Sequence, residues 1–341
     1  MVSNDKNINK LFLYWLILSL IIVFFIIIIG GLTRLTNSGL SITEWELFKG
    51  ILPPLNVLDW ELYFEKYKRI PQYKLLNYNM SLEEFKFIFY WEYFHRMLAR
   101  LIGIFFLLPL IFFYFTKKIN NQYMNTCFII FFLILLQGII GWFMVASGLV
   151  NDVTVSHYRL SIHLSVAFLI ISIIFWLIIN IVKKKNKTFF RFSKENFPFL
   201  ILIFLIFLQI IFGAFVSGLD AGNIYQTWPK MGLTYFPDDI IIKNINNFFN
   251  FKNQSLVQFY HRNLAYLITL YILLLSFYVY KNKVKDLYNP LKLLNFFLFL
   301  QILLGIFTLV SGLNIYLASA HQISSVILVF SAINLYYFKA K

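Results

Sequence analysis

The chain contains eight apolar runs, and each is long enough to cross a membrane as a helix. They are Leu11–Ile29, Phe87–Phe115, Thr126–Ala146, Leu160–Val182, Phe197–Ser217, Val257–Tyr280, Leu291–Ser311 and Tyr316–Phe338. About 20 helical residues span the hydrocarbon core of a bilayer. Only 13% of the residues are charged, which is about half the fraction in soluble domains. We therefore predict an all-α membrane protein with eight transmembrane helices, numbered here as spans 1 to 8.

The positive charge follows the membrane spans, so it indicates orientation rather than nucleic-acid binding. The net charge is +15, and the basic residues are concentrated in the N-terminal tail, after spans 2, 4 and 6, and at the C-terminus. By contrast, the stretch 30–86 carries seven basic and seven acidic residues. Basic loops stay in the cytoplasm. We expect both termini to be cytoplasmic, in a bacterial inner membrane, with span 1 retained as an anchor.

Landmarks recur in the same order in both halves of the chain, which indicates an internal repeat. Matching positions are Gly30 and Gly213, Gly39 and Gly222, Trp45 and Trp228, His95-Arg and His261-Arg, Gln137-x-x-x-Gly141 and Gln301-x-x-x-Gly305, and His163 and His321. Four spans per repeat give both halves the same orientation. We predict two tandem pseudo-symmetric four-helix bundles, residues 1–182 and 183–341, related by an axis along the membrane normal.

Four of the five histidines lie near the start of an even-numbered span, two in each repeat: His95, His163, His261 and His321. An ionisable residue within a membrane span suggests function. Neutral imidazole is a ligand for iron, copper or zinc. Zinc usually takes three or four protein ligands, whereas two axial histidines per bundle suit a haem. We predict that all four bind metal. His157 has no counterpart in the second half and is predicted to be a solvated loop residue.

A carboxylate distinguishes the two halves. Glu92 precedes His95 by three residues and shares its helix face, whereas the matching residue of the second half is Gln258. The carboxylate could act as a base or steady a developing cation, which would place the chemistry in the first half; capping of the helix start is the alternative. Arg96 and Arg262 are candidate partners for haem propionates, with snorkelling to the membrane surface as the alternative.

Several long motifs resemble the haem A synthase family, especially its alphaproteobacterial and mitochondrial branch. They are Gly30-Gly-Leu-Thr-Arg-Leu-Thr-Asn-Ser-Gly-Leu-Ser41, Gly50-Ile-Leu-Pro-Pro-Leu-Asn56, the stretches 65–76 and 82–103, Gln-Thr-Trp-Pro at 226–229, and Ala320-His321-Gln322. The resemblance covers almost the whole chain. It implies oxidation of the C8 methyl of haem O to a formyl group by successive hydroxylations and loss of water, which gives haem A for cytochrome c oxidase.

The resemblance also implies a role for each candidate residue. His95 and His163 would flank the substrate haem O, His261 and His321 would ligate a haem b cofactor, and Glu92 would take part in the reaction. Haem O synthase is a candidate partner besides membrane lipid, a homo-oligomer is an option, and the electron acceptor is left open. The first outer loop, 30–86, is expected to form short helices over the haem O pocket. Some relatives carry a cysteine pair in an outer loop, but the single Cys127 lies in span 3.

Two other functions are compatible with parts of this pattern. A two-haem b-type cytochrome that carries electrons from quinol would share the four histidines without needing Glu92. A transporter would share the parallel repeat, but transporters bind their substrates near the membrane midplane. The histidines predicted here lie towards the outer ends of their spans.

Overall fold

The computed structural model describes residues 3–45, 49–150, 153–240 and 245–340. In these ranges there are ten α-helices and no β-strand. The helices are α1 (Ser3–Leu35), α2 (Val57–Tyr67), α3 (Pro71–Leu76), α4 (Leu82–Thr116), α5 (Asn121–Gly148), α6 (His157–Val182), α7 (Phe197–Gly218), α8 (Gln254–Lys281), α9 (Tyr288–Val310) and α10 (Ile315–Lys339).

Eight of the described helices are long and apolar enough to cross a membrane, which confirms the predicted eight spans. They are α1 and α4 to α10, whereas α2 and α3 are short helices between the first two spans. Several helices extend beyond their apolar runs. The clearest case is α4, which begins at Leu82 because Ser81 and Glu84 form a capping box, with the Ser81 amide donating to the Glu84 carboxylate at 2.8 Å.

The chain divides into two compact units, Met1–Ile174 (unit 1) and Phe175–Lys341 (unit 2). The division falls inside α6, whereas the sequence placed the border after residue 182. In unit 1, α4 packs against both α1 and α5. In unit 2, α7 packs against α8 and α10, and α9 packs against α8 and α10. The tandem symmetry of the halves stays a prediction.

The segment between the first two spans of unit 1 folds into a packed aromatic cluster on α4. Phe64 of α2 stacks on Phe85 with ring centroids 5.0 Å apart, and Trp60 meets Phe89 edge to face at 5.0 Å. Tyr67 is fully buried, and its hydroxyl lies 3.0 Å from Gln72 Oε1. The expected short helices are therefore present as α2 and α3, and large aromatic areas bind them to α4.

Candidate functional site

Each of the four membrane histidines lies against a glycine of the transmembrane helix that precedes its own. A Cβ atom placed on these glycines would come within 2.9 to 3.2 Å of the Cε1 atom of the histidine, closer than side chains normally approach. Glycine therefore allows each imidazole to approach the helix backbone more closely than a residue with a side chain would. The pairs are Gly30 and His95, Gly141 and His163, Gly213 and His261, and Gly305 and His321.

In unit 1 the two histidines face each other at a separation suited to a shared metal. The ring centroids of His95 and His163 are 6.4 Å apart, with planes inclined at 71°. Two metal–nitrogen bonds of about 2 Å, each with a ring centroid about 1.1 Å beyond the nitrogen, would separate the centroids by about 6 Å. The Nδ1 atoms of both rings are buried; the His95 ring lies within reach of the Ile26 backbone, whereas Nδ1 of His163 has no hydrogen-bond partner among the described residues. The pair therefore fits a six-coordinate haem iron.

In unit 2 the second pair has hydrogen bonds to the neighbouring helices. His321 Nδ1 lies 3.1 Å from the Gln301 carbonyl oxygen, and Gln209 Nε2 donates to the His261 carbonyl oxygen at 3.0 Å. A histidine whose Nδ1–H donates to a backbone carbonyl presents Nε2 to a metal. Among the residues described, no group of three or more His, Cys, Asp or Glu side chains could hold a metal ion.

Glu92 lies in a cage of hydrogen-bond donors beside the first pair. The side chain is 3% exposed. One carboxylate oxygen accepts from Ser41 Oγ at 2.8 Å and from the Ile42 amide at 2.9 Å. The other accepts from Arg96 Nη2 at 2.6 Å and Nε at 3.1 Å. Because Ser81 caps α4 well before this position, the alternative that Glu92 caps the helix is wrong.

In unit 2 the residue that matches Glu92 contacts the matching segment with the opposite hydrogen-bond polarity, whereas Arg262 donates to a backbone carbonyl as Arg96 does. Gln258 Nε2 and Arg262 Nη2 both donate to the Tyr225 carbonyl oxygen at 2.9 Å. Tyr225 follows Gly213 by the same 12 residues by which Ile42 follows Gly30. Glu92 therefore anchors the segment after α1 as an acceptor, whereas Gln258 anchors the segment after α7 as a donor. The difference between Glu92 and Gln258 therefore matches the backbone group that each one contacts, an amide or a carbonyl. This is a structural reason for the difference, in addition to the chemical role predicted for Glu92.

Arg96 and Arg262 differ in how many of their N–H groups donate to other residues of the protein. Arg96 binds Glu92, donates to the Ile42 carbonyl oxygen at 2.9 Å, and lies over the Trp45 ring at 5.3 Å. Arg262 donates to loop carbonyl oxygens, whereas its buried Nε has no partner in the described ranges. The geometry thus leaves Arg262 with a donor for an incoming carboxylate, and propionate binding by either arginine stays a prediction.

Two features differ from the sequence interpretation. His157 is only 8% exposed and is the first residue of α6, so its prediction as a solvated loop residue is wrong. The helix begins one turn before its apolar run, and the ring packs on Tyr158 with centroids 4.0 Å apart. Sequence reasoning also missed Gln209, although it precedes Gly213 by the same four residues that separate Gln137 from Gly141.

Comparison with known proteins adds a family relationship. Residues 13–333 match the family described as cytochrome oxidase assembly protein. The chain is 48% identical to a protein named heme A synthase from Pelagibacter ubique, over 97% of both chains. It is 39% identical to a protein of that name from Flavobacterium psychrophilum, over 95% of this chain and 96% of the relative. For the one from Rickettsia africae the identity is 40%, over 92% and 94%.

Proposed function

This chain belongs to the cytochrome oxidase assembly protein family that includes the heme A synthases, and on that premise we propose that it oxidises haem O to haem A. The reaction converts the C8 methyl group into a formyl group by successive hydroxylations and loss of water, for use by cytochrome c oxidase. The observation that carries the proposal is the pair of facing histidines in unit 1, 6.4 Å apart between centroids.

The two histidine pairs have separate tasks in this proposal. His95 and His163 hold the substrate haem O, and His261 and His321 hold a haem b cofactor. Bound in this way, the iron centres supply the redox chemistry. The chain supplies the axial imidazoles, and the glycines against each ring fix its orientation. The unpaired Nε of Arg262 is placed to donate to an anionic group such as a propionate.

Glu92 contributes a fixed negative charge in the unit that holds the substrate. It lies one helical turn from His95 on the same face of α4. The donors around it keep the carboxylate in one position, so no reorganisation is needed when positive charge develops at the methyl carbon. The cage favours this electrostatic role over that of a mobile base, because accepting a proton would disrupt hydrogen bonds from Ser41, Ile42 or Arg96.

The charge pattern supports a placement in the bacterial inner membrane with both termini in the cytoplasm. The lysine-rich segments after spans 2, 4 and 6 are then cytoplasmic, and the four histidines lie towards the outer side. The membrane itself is the route by which an apolar substrate such as haem O reaches the site. An enzyme that makes haem O in the same membrane is the natural partner.

Pigment extraction tests the function directly. The full chain is produced in a bacterium that makes haem O but no haem A, and the extracted haems are separated by chromatography. We expect haem A with the unchanged chain, and its absence would refute the proposed function.

A carboxylate variant separates this function from that of an electron-carrying cytochrome. Glu92→Gln should retain the haems in the purified protein while haem A falls at least tenfold, since one fixed charge near developing charge contributes factors of about this size or larger. Glu83→Gln is the matched control, because Glu83 lies on the same helix with its side chain 80% exposed. If the Glu92→Gln variant made as much haem A as the unchanged chain, Glu92 would have no part in the reaction and would serve only to anchor the segment at Ser41 and Ile42.

A further inference from the structure

Unit 2 contains a cavity at the end opposite its two histidines. His261 and His321 lie near the first residues of α8 and α10, whereas the cavity lies where those helices end. Its walls come from the segment after α6, the turn between α8 and α9, and the last residues of α10. The volume is about 620 Å³, within the range of about 300 to 1,000 Å³ that is typical of ligand sites.

The charge of this cavity is mainly positive. Among the described residues that line it, four are basic and one is acidic: Lys185, Lys187, Arg191, Lys339 and Asp286. A second carboxylate, that of Glu195, lies 3.6 Å from Lys339 Nζ. Even with this carboxylate included, the basic side chains described here outnumber the acidic ones by four to two. The cavity therefore favours an anionic ligand.

The basic segment after α6 has a fixed backbone. Trp176 Nε1 and Asn180 Nδ2 donate to the Lys187 carbonyl oxygen at 3.0 and 2.9 Å, and the Lys187 amide donates to Asn180 Oδ1 at 3.1 Å. The Arg191 amide lies 3.3 Å from the Tyr336 hydroxyl oxygen, to which it donates. A basic segment that only sets membrane orientation needs charge but no fixed conformation. The hydrogen bonds therefore point to a second role for these cations.

Lys187 differs from the other cations of the cavity because its side chain closes a helix end. Its Nζ donates to the carbonyl oxygens of Tyr337, at 2.8 Å, and Ala340. Carbonyl groups at the end of a helix have no partner within the helix and attract a cation. Lys187 thus joins the segment after α6 to α10. Lys185 and Arg191 line the same cavity and are more exposed than Lys187.

The cavity also has apolar walls next to the ends of membrane spans. Val284 and Leu287 lie in the turn after α8, and Phe338 lies in the last turn of α10. A small inorganic anion makes no use of such walls. A phospholipid does, because its headgroup can lie among the cations while its acyl chains continue along the spans. Basic pockets between the cytoplasmic ends of membrane helices bind acidic lipid headgroups in this way.

We propose that this cavity binds the phosphate group of an anionic phospholipid. Lys185 and Arg191 bind the phosphate oxygens, with the guanidinium able to donate two parallel hydrogen bonds. Val284, Leu287 and Phe338 contact the apolar part of the lipid. The site needs no haem chemistry, so it is independent of the proposed function.

Competition for a labelled lipid tests the proposal. The full-length protein is purified in detergent, immobilised and titrated with radiolabelled phosphatidylglycerol. We expect saturable binding that unlabelled phosphatidylglycerol displaces, whereas phosphatidylcholine, which has no net charge, and inorganic phosphate do not. Displacement by phosphatidylcholine would contradict recognition of the negative charge. Displacement by inorganic phosphate would make this a general anion site and would overturn the assignment to a lipid.

A pair of double variants locates the binding. Lys185→Gln with Arg191→Gln removes two cations from the cavity and leaves the side-chain bonds of Lys187 in place. The affinity for phosphatidylglycerol should fall about thirtyfold, because each basic residue near an anionic lipid surface contributes a factor of about five. Lys281→Gln with Lys283→Gln is the matched control, since both lysines are exposed at the same end of unit 2 but do not line the cavity.

The control variant should bind phosphatidylglycerol as tightly as the unchanged chain. Equal affinities of the two double variants would overturn the inference. Both variants should retain the haem content of the unchanged chain, which checks that they are folded. Failure of the proposed function would instead show as a chain that binds the lipid but makes no haem A.

Discussion

At each histidine position the facing residue matters because it is glycine and has no side chain. Each histidine ring lies so close to its facing glycine that a Cβ there would come within 2.9 to 3.2 Å of the ring Cε1 atom. The sequence shows these glycines as repeated landmarks, but it cannot show that they touch the histidines, because each contact joins two helices whose relative rotation depends on packing. An added methyl group would displace the imidazole rather than the helix backbone, since a side chain moves more readily than a packed helix.

Gly141→Ala should therefore lower the amount of haem held by the His95 and His163 pair. The new Cβ would lie 3.1 Å from His163 Cε1, so the imidazole must shift by a few tenths of an ångström from its present position. Gly138→Ala is the control on the same helix, because nothing lies within 4 Å of the position of its new Cβ. Haem O bound per purified protein is the measurement. Equal haem O content in the two variants would show that the contact does not position the ligand.

Two partners of Glu92 also lay beyond the reach of the sequence, whereas Arg96, four residues along the same helix, did not. Its spacing from His95 predicted a shared helix face, but Ser41 and Ile42 are some fifty residues away along the chain. The unit 2 residue, Gln258, looked like a neutral replacement and turned out to donate where Glu92 accepts. Hydrogen-bond polarity depends on whether the loop presents an amide or a carbonyl, and no local pattern encodes that choice.

Among the elements, the segment between the first two spans is the most distinctive. Its short helices were expected, but the way they bind to α4 depends on the large aromatic side chains of α2. Tyr67 is at the centre of this cluster, fully buried, and its hydroxyl also accepts from Asn77 Nδ2 at 2.7 Å. Burial raises the pKa of Tyr67 from 10.0 to about 12, and the negative charge of Glu92 acts in the same direction.

The raised pKa predicts how this element responds to alkali. Because the folded state favours the neutral phenol, the stabilisation by Tyr67 is complete below pH 10 and is lost as the pH rises towards 12. A tyrosinate absorbance titration of the unchanged protein minus that of Tyr67→Phe should show one phenol with a midpoint near 12. A midpoint near 10 would mean that Tyr67 is exposed to water and that the α2 cluster is not packed as described.

For the whole molecule, the sequence predicted the number of spans better than their ends. Apolarity summed over about 20 residues identifies a span, and all eight are present. Helix ends depend instead on caps and local packing, and the capping box of Ser81 and Glu84 explains the early start of α4 at Leu82; α6 also begins early, at His157. The same cause placed His157 among buried residues rather than in a solvated loop.

The two units share an arrangement of histidines and glycines and differ at a few residues. Each has two histidines set against glycines, and each fastens an outer segment to the helix of its first histidine. The changes, glutamate for glutamine at 92 and isoleucine for glutamine at 26, both fall in unit 1. We propose that unit 1 holds the substrate and that unit 2 holds the cofactor.

A pyridine haemochrome analysis of four purified variants tests this division of labour most directly. His261→Ala or His321→Ala should remove the haem b signal, because one imidazole of the retained pair is lost. His95→Ala or His163→Ala should remove bound haem O and leave haem b at its normal amount. Equal loss of both haems in all four variants would contradict the account.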